Sequence, residues 1–162
     1  MDNSMIRPIA EADLSDCLDI LKASYEASAI TFGMTEDNCP YRGRTRLPLS
    51  ELQKEFGNCQ MYGYYNNDCL VGFLSLADFH DGSMGINDLA ILPEYQCNGF
   101  GSEMIRFAKE EARRHGCSIL RLGMIDENAR LKKWYESHGF HTTRLEKYEK
   151  VTYHGGKMAQ AL

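Results

Sequence analysis

One segment of the 162-residue chain constrains its fold more than any other: Leu89-Ala90-Ile91-Leu92-Pro93-Glu94-Tyr95-Gln96-Cys97-Asn98-Gly99-Phe100-Gly101-Ser102. An apolar run halts at Pro93, which has no N–H to give to a sheet ladder. Gly99 and Gly101 then open a long stretch that ends at Gly116. Within it Met104, Ile105, Ala108 and Ala112 share one face and charged residues take the other, the period of an amphipathic helix. A strand, a short turn and a helix in that order set the helix's unpaired N–H groups, with their partial positive charge, beside the strand's end. Such a corner suits an anion, phosphate above all, and glycine lets the backbone come close to it. No G-x-x-x-x-G-K-[ST] is present, and only Gly99-x-Gly101 of a dinucleotide G-x-G-x-x-G exists.

The remaining elements follow from periodicity and punctuation. Residues 5–9 read as a short strand and 12–27 as a helix with Leu14, Cys17, Leu18, Leu21 and Tyr25 on its apolar face. Residues 28–48, which carry Gly33, Pro40, Gly43 and Pro48, read as a long loop or a broken helix; loops of that length are often functional. Ser50 is expected to cap a short helix over 51–56 that Gly57 closes. Strands at 59–65 and 70–79 form a hairpin across the polar turn Asn66-Asn67-Asp68, and 83–92 is the next strand. Beyond the long helix lie a strand at 119–124 and a helix at 129–138 with Leu131, Trp134 and Tyr135 on one face. Two last strands, 140–153 and 157–162, are expected to join around Gly155-Gly156. Without repeats or a linker, the pattern predicts a single α/β (α+β) domain over residues 1–162. Its mixed central sheet should have about six to seven strands flanked by about four helices.

Composition removes several function classes. The net charge is −5, which makes a general nucleic-acid binder a poor fit, because phosphate contacts need clustered Lys and Arg. The charge is divided: residues 1–98 carry 15 acidic and 6 basic side chains, whereas 99–162 carry 8 and 12. The division hints at an anionic ligand on the C-terminal part and a cationic one on the N-terminal part. Apolar runs are only a few residues long, so no bilayer span and no membrane partner are expected, and the N-terminus does not read as a secretory leader. The six cysteines are scattered singly without a C-x-x-C, as expected of free thiols in a cytoplasmic protein. His138 and His141 form an H-x-x-H, but Gly139 between them would make them diverge, and no metal site is expected.

Gln96-x-x-Gly99-x-Gly101 after a strand that stops at Pro93 resembles the acyl-CoA motif of the GNAT acetyltransferase superfamily. Downstream, the run from Asn128 through Tyr135 to Gly139-Phe140 resembles that family's second signature, an Asn, a helix bearing a Tyr, and a closing Gly-Phe. The similarity is best over residues 83–140 and holds in outline elsewhere.

The resemblance implies acetyl-CoA as cosubstrate, no metal, and a cradle for the CoA pyrophosphate in the backbone of Gln96, Cys97, Asn98, Gly99, Phe100, Gly101 and Ser102, with the Ser102 hydroxyl as an extra donor. The pantetheine arm would lie along the strand at Leu89, Ala90 and Ile91 as an added strand, an N–H near Ile91 polarising the thioester carbonyl. Asn128 would meet the cofactor's amides, and Tyr135 would act as general acid to the departing thiolate. Arg130, Lys132 and Lys133 would be candidates for the terminal phosphate. Cys97 reads as a loop residue and not a nucleophile. No Glu stands where the family often places its base; Asp88, Glu26, Asp78, His80 or a water chain stay open.

The implied function is N-acetyl transfer from acetyl-CoA to a small-molecule or peptide primary amine, directly within a ternary complex. The rival is a non-catalytic acyl-CoA-binding regulatory module; a protein–protein adaptor would bind no CoA at all. Tyr62, Tyr64, Tyr65 and residues 28–48 are expected near the acceptor unless the tyrosines simply pack the sheet. A homodimer is the commonest oligomer for such chains, though no residue here specifies one.

Overall fold

The structure, a computed structural model, describes residues 5–162; the first four residues of the stretch read above for a leader lie outside the described residues. Seven strands build one sheet: β1 (Ile6–Pro8), β2 (Gln60–Asn66), β3 (Cys69–Asp78), β4 (Ser83–Ile91), β5 (Ile119–Ile125), β6 (His141–Lys147) and β7 (His154–Ala161). Their spatial order is β1-β2-β3-β4-β5-β7-β6, and the β4–β5 pair is parallel while the other neighbours are antiparallel. Helices α1 (Leu14–Thr31), α2 (Leu49–Phe56), α3 (Phe100–Arg114) and α4 (Ala129–Ser137) complete the mixed α/β architecture.

Each face of the sheet buries an apolar layer. Met104, Ile105, Ala108 and Ala112 of α3 pack with Leu74, Leu76, Met84, Leu120 and Met158. Leu14, Cys17, Ile20 and Leu21 of α1 pack with Leu52 of α2 and with Phe73 and Ala90. The α3 residues are those its periodicity singled out. The β2–β3 hairpin turns through Asn67 (φ 49°) and Asp68 (φ 64°), the two left-handed positions of a primed turn that matches strand twist.

Two irregularities position the site. First, β4 and β5 pair only where Ser83, Met84, Gly85 and Ile86 face Ile119, Leu120, Arg121 and Leu122. Beyond that point β4 stays on β3 and β5 stays on β7, so the middle of the sheet splits. Second, the β3–β4 register shifts between Ser75, opposite Asp88, and Leu76, opposite Ile86, leaving Asn87 unpaired as a bulge. A bulge reverses the alternation of a strand. Met84 and Ile86 therefore face the α3 layer, whereas Ala90 faces α1 and α2.

Several boundaries differ from expectation, among them β6, which ends at Lys147 and not at 153. Helix α1 runs on to Thr31, past the expected end at 27 and into the segment read as a long loop or a broken helix. Ser50 is inside α2, which Pro48 and not a side-chain cap precedes, and Gly57 (φ −72°) ends it without a left-handed turn. Gly155 and Gly156 lie within β7 rather than in a turn. A side chain at Gly155 would collide with the Tyr148 ring, and one at Gly156 would come within 3.4 Å of an Asp126 oxygen. These glycines make room for neighbours, and residues 148–153 make the connection. No helix among the described residues is long and apolar enough to cross a membrane.

Candidate active site

The loop between β4 and α3 presents backbone to its surroundings. Cys97 (φ 63°) and Gly99 (φ 83°) are left-handed, which turns the chain sharply into α3. Gln96 Nε2 donates back to the Ile91 carbonyl at 3.0 Å, and Asn98 Nδ2 donates to the Tyr95 carbonyl at 3.1 Å. The Phe100 ring stacks on Tyr64 at 4.5 Å. The backbone N–H groups of Cys97, Asn98, Gly99, Phe100, Gly101 and Ser102 find no acceptor among the described residues. Gly101 lies under the Trp134 indole, where a Cβ would meet it at 3.0 Å, and so ties the helix start to α4. The Ser102 hydroxyl is 2.9 Å from His138 Nε2.

The split edge of β4 is occupied by α1. The Tyr25 hydroxyl donates to the Leu89 carbonyl at 3.1 Å and accepts from the Leu89 N–H at 3.2 Å. Ser24 Oγ accepts from the Ile91 N–H at 3.4 Å. Both backbone positions expected to line a pantetheine arm thus have partners from α1.

Tyr135 is buried on α4, with Trp134 at 5.0 Å and Phe140 at 5.7 Å, both edge-on. Burial pushes its phenol up to about 12. The Tyr25 phenol is raised as well, chiefly by burial, then by the charges of Asp88 and Tyr135. Asn128 caps α4, its Oδ1 accepting from the Leu131 N–H at 3.3 Å. Lys132 is paired with Asp126 at 2.7 Å, while Arg130 and Lys133 are exposed.

The carboxylates considered as bases are mostly engaged. The bulge at Asn87 turns Asp88 inward, where Arg44 reaches it with Nη2 at 2.6 Å and Nε at 3.0 Å. The same guanidinium grips Glu55 at 2.8 Å through two nitrogens. Burial pushes Asp88 up to about 6, with Arg44 restraining the rise. Burial alone would lower Arg44, but the hydrogen bonds and charges of Glu55 and Asp88 raise it overall. Glu26 is held by Arg42 at 2.8 Å. His80 and Asp78 lie at the β3–β4 turn, the far end of β4 from the split. Tyr62 and Tyr64 bond Glu111 at 3.1 Å and Glu103 at 2.7 Å on α3, and Tyr65 lies under Arg7 at 3.9 Å. All three therefore have packing or hydrogen-bond partners within the sheet and its helix layer.

A cavity of about 550 Å³ opens between the loop after α1, the split end of β5 and the β6–β7 connection, with Met34, Cys39, Met124, Tyr148 and Tyr153 among its walls. Its charged lining is Glu149, Lys150 and Lys157, all from the C-terminal part. The acidic excess of residues 1–98 does not line it.

Sequence reasoning placed Tyr25 on the apolar face of its helix without a functional role, and singled out neither Ser24 nor Arg44. A tyrosine on an apolar helix face carries a hydroxyl that needs a partner, and that was a usable signal for Tyr25. Arg44, a loop residue beside Gly43, offered none.

The model of the acetyltransferase (GNAT) family matches residues 22–140. The chain is 27% identical over 162 residues to a thialysine N-epsilon-acetyltransferase of Bos taurus, which covers 88% of this chain and 92% of that one. The counterpart of Sus scrofa is 25% identical over 166 residues, 90% of this chain and 94% of that one. Among solved structures it is similar to the PaiA N-acetyltransferase of Thermoplasma acidophilum in complex with coenzyme A, with a TM-score of 0.81 at 17% identity over 97% of this chain and 98% of that one. A GNAT family acetyltransferase of Elizabethkingia anophelis with acetyl-CoA bound gives a TM-score of 0.73 at 15% identity over 100% of both chains.

Proposed function

The chain belongs to the GNAT acetyltransferase family, and from that premise we propose that it is an N-acetyltransferase that moves an acetyl group from acetyl-CoA to a primary amine by direct transfer in a ternary complex. The observation that carries this reading is the row of unpaired N–H groups from Cys97 to Ser102 at the end of the split strand β4. Six such donors at a helix start fit a pyrophosphate and leave little else to satisfy them.

In this reading Gln96, Cys97, Asn98, Gly99, Phe100, Gly101 and Ser102 hold the pyrophosphate. Leu89 and Ile91 take the pantetheine arm, and the Asn128 NH2 group, not engaged in the α4 cap, meets its amides. Bound there, acetyl-CoA supplies a thioester, an acyl group activated toward amines. A β4 N–H draws charge from the thioester oxygen as it becomes negative. Tyr135, raised to about 12, keeps its proton at neutral pH and directs it at the sulfur. That proton passes to sulfur as the C–S bond breaks and the N–C bond forms. Arg44 and Arg42 hold Asp88 and Glu26, so the amine's proton leaves to solvent through the open cavity.

The acceptor is a small-molecule or peptide primary amine; two relatives are named for thialysine, an acceptor of this class. A titration of acetyl-CoA followed by thermal melting, then a panel of primary amines with CoA release read by mass spectrometry, tests the assignment. A rise in melting temperature and turnover of at least one amine are expected. No rise at saturating acetyl-CoA would overturn it, and binding without turnover of any amine would assign a regulatory module instead.

A further inference from the structure

We infer that Tyr25, with Ser24 beside it, holds in the free protein the hydrogen-bonding positions on β4 that acyl-CoA takes on binding, so that α1 and the cosubstrate compete for Leu89 and Ile91. The inference rests on the N-acetyltransferase reading above.

The geometry is that of an occupied strand edge. The Leu92 N–H goes to the Val71 carbonyl on β3, as a ladder requires. The N–H groups of Leu89 and Ile91 point the other way, into the split that β5 has left. Buried backbone groups in such a place must find partners. Here they find side chains 64 and 67 residues away in sequence, the Tyr25 hydroxyl and the Ser24 hydroxyl, while Gln96 Nε2 takes the Ile91 carbonyl. The Tyr25 hydroxyl both donates to and accepts from Leu89, the pairing an added strand would make there. An N–H that already serves one oxygen at 3.2 Å has little left for a second. Binding of the arm must therefore displace the hydroxyl, and the displaced phenol stays beside the acyl group because α1 is packed against β4.

Competition has a measurable sign. Removing the Tyr25 hydroxyl deprives the free protein of two hydrogen bonds that the complex does not contain, so the apparent affinity for acyl-CoA should increase. At the ordinary net value of each of these two hydrogen bonds, the gain for Tyr25→Phe is about thirtyfold. A merely structural tyrosine would give the opposite result, a looser site that binds more weakly.

The test is calorimetric titration of wild type, Tyr25→Phe and Ser24→Ala with acetyl-CoA and with 3′-phospho-ADP, which carries the phosphates but no arm. Tighter acetyl-CoA binding is expected in Tyr25→Phe, a smaller gain in Ser24→Ala, and unchanged 3′-phospho-ADP binding in both. The unliganded Tyr25→Phe protein should also melt lower than wild type, and acetyl-CoA should close that gap. Equal or weaker acetyl-CoA binding in both variants, or an equal gain for 3′-phospho-ADP, overturns the competition. Failure of the wild type to bind acetyl-CoA is a different result, which overturns the N-acetyltransferase reading first. If Tyr25→Phe does not fold, the sign of the Ser24→Ala shift decides the matter.

Discussion

Arg44 meets both carboxylate oxygens of Asp88, through Nη2 at 2.6 Å and Nε at 3.0 Å. The Asp88 side chain is 1% exposed and that of Arg44 26%. A carboxylate so placed depends on its partner, because removing one member of a buried pair strands the other. The contact also pins the loop that follows α1 to the split end of β4, and that loop walls the cavity through Met34 and Cys39.

Replacing Arg44 with Ala is therefore expected to cost about 3 kcal/mol of unfolding free energy at pH 7, the lower end for a broken buried pair given its partial exposure. Urea denaturation measures this. Adding Asp88→Asn to that background should recover part of the loss. A double variant no more stable than Arg44→Ala would show that Asp88 is not the stranded charge.

The burial of Asp88 makes stability depend on pH. Its carboxyl is raised from 3.8 to about 6 in the folded state, so the fold binds this proton more tightly than the unfolded chain does. The resulting stabilisation is full below about pH 4 and is lost as pH rises through about 6. Relative to Asp88→Asn, wild type should lose up to about 3 kcal/mol between pH 4 and pH 7. Parallel profiles for the two proteins across that range would rule the shift out.

Tyr135→Phe keeps the ring packing against Trp134 and Phe140 and removes only the hydroxyl. Turnover should fall by about 10²-fold with acetyl-CoA affinity little changed, as for loss of a general acid. With the phenol at about 12, the proton is present throughout the neutral and mildly alkaline range and is lost only as pH rises through that value. An alkaline limb of kcat near pH 10 that disappears in Tyr135→Phe would contradict the raised value.

Two left-handed positions in the β4–α3 loop should respond oppositely. Gly99 (φ 83°) has open space around a notional Cβ, so Gly99→Ala should cost about 1 kcal/mol through backbone strain alone and loosen acetyl-CoA binding. Cys97 (φ 63°) already bears that strain, so Cys97→Gly should be neutral to stabilising and retain binding. Thermal melts and acetyl-CoA titrations of both variants check the pair. Loss of turnover in Cys97→Gly would instead give the thiol a chemical role.

Legibility followed the range of the interactions involved. Helix α3 was readable because its apolar period and its flanking glycines are local properties of some eighteen residues. The β2–β3 hairpin was readable because Asn66-Asn67-Asp68 carries its own turn chemistry. The glycines of β7 misled, since Gly155 answers to Tyr148 and Gly156 to Asp126 rather than to a bend. The bulge at Asn87 left no mark in the local pattern, and without it the direction of Asp88 could not be read.

By itself, then, the sequence determined the mixed α/β fold, the position of the glycine loop and the tyrosine on α4, because each is written in adjacent residues. Only the tertiary structure decided what surrounds them. It brought Tyr25 to Leu89 and Arg44 to Asp88 across 64 and 44 residues, and it split β4 from β5. Those contacts exist because buried polar groups must find partners wherever packing delivers them, and packing is a property of the whole chain.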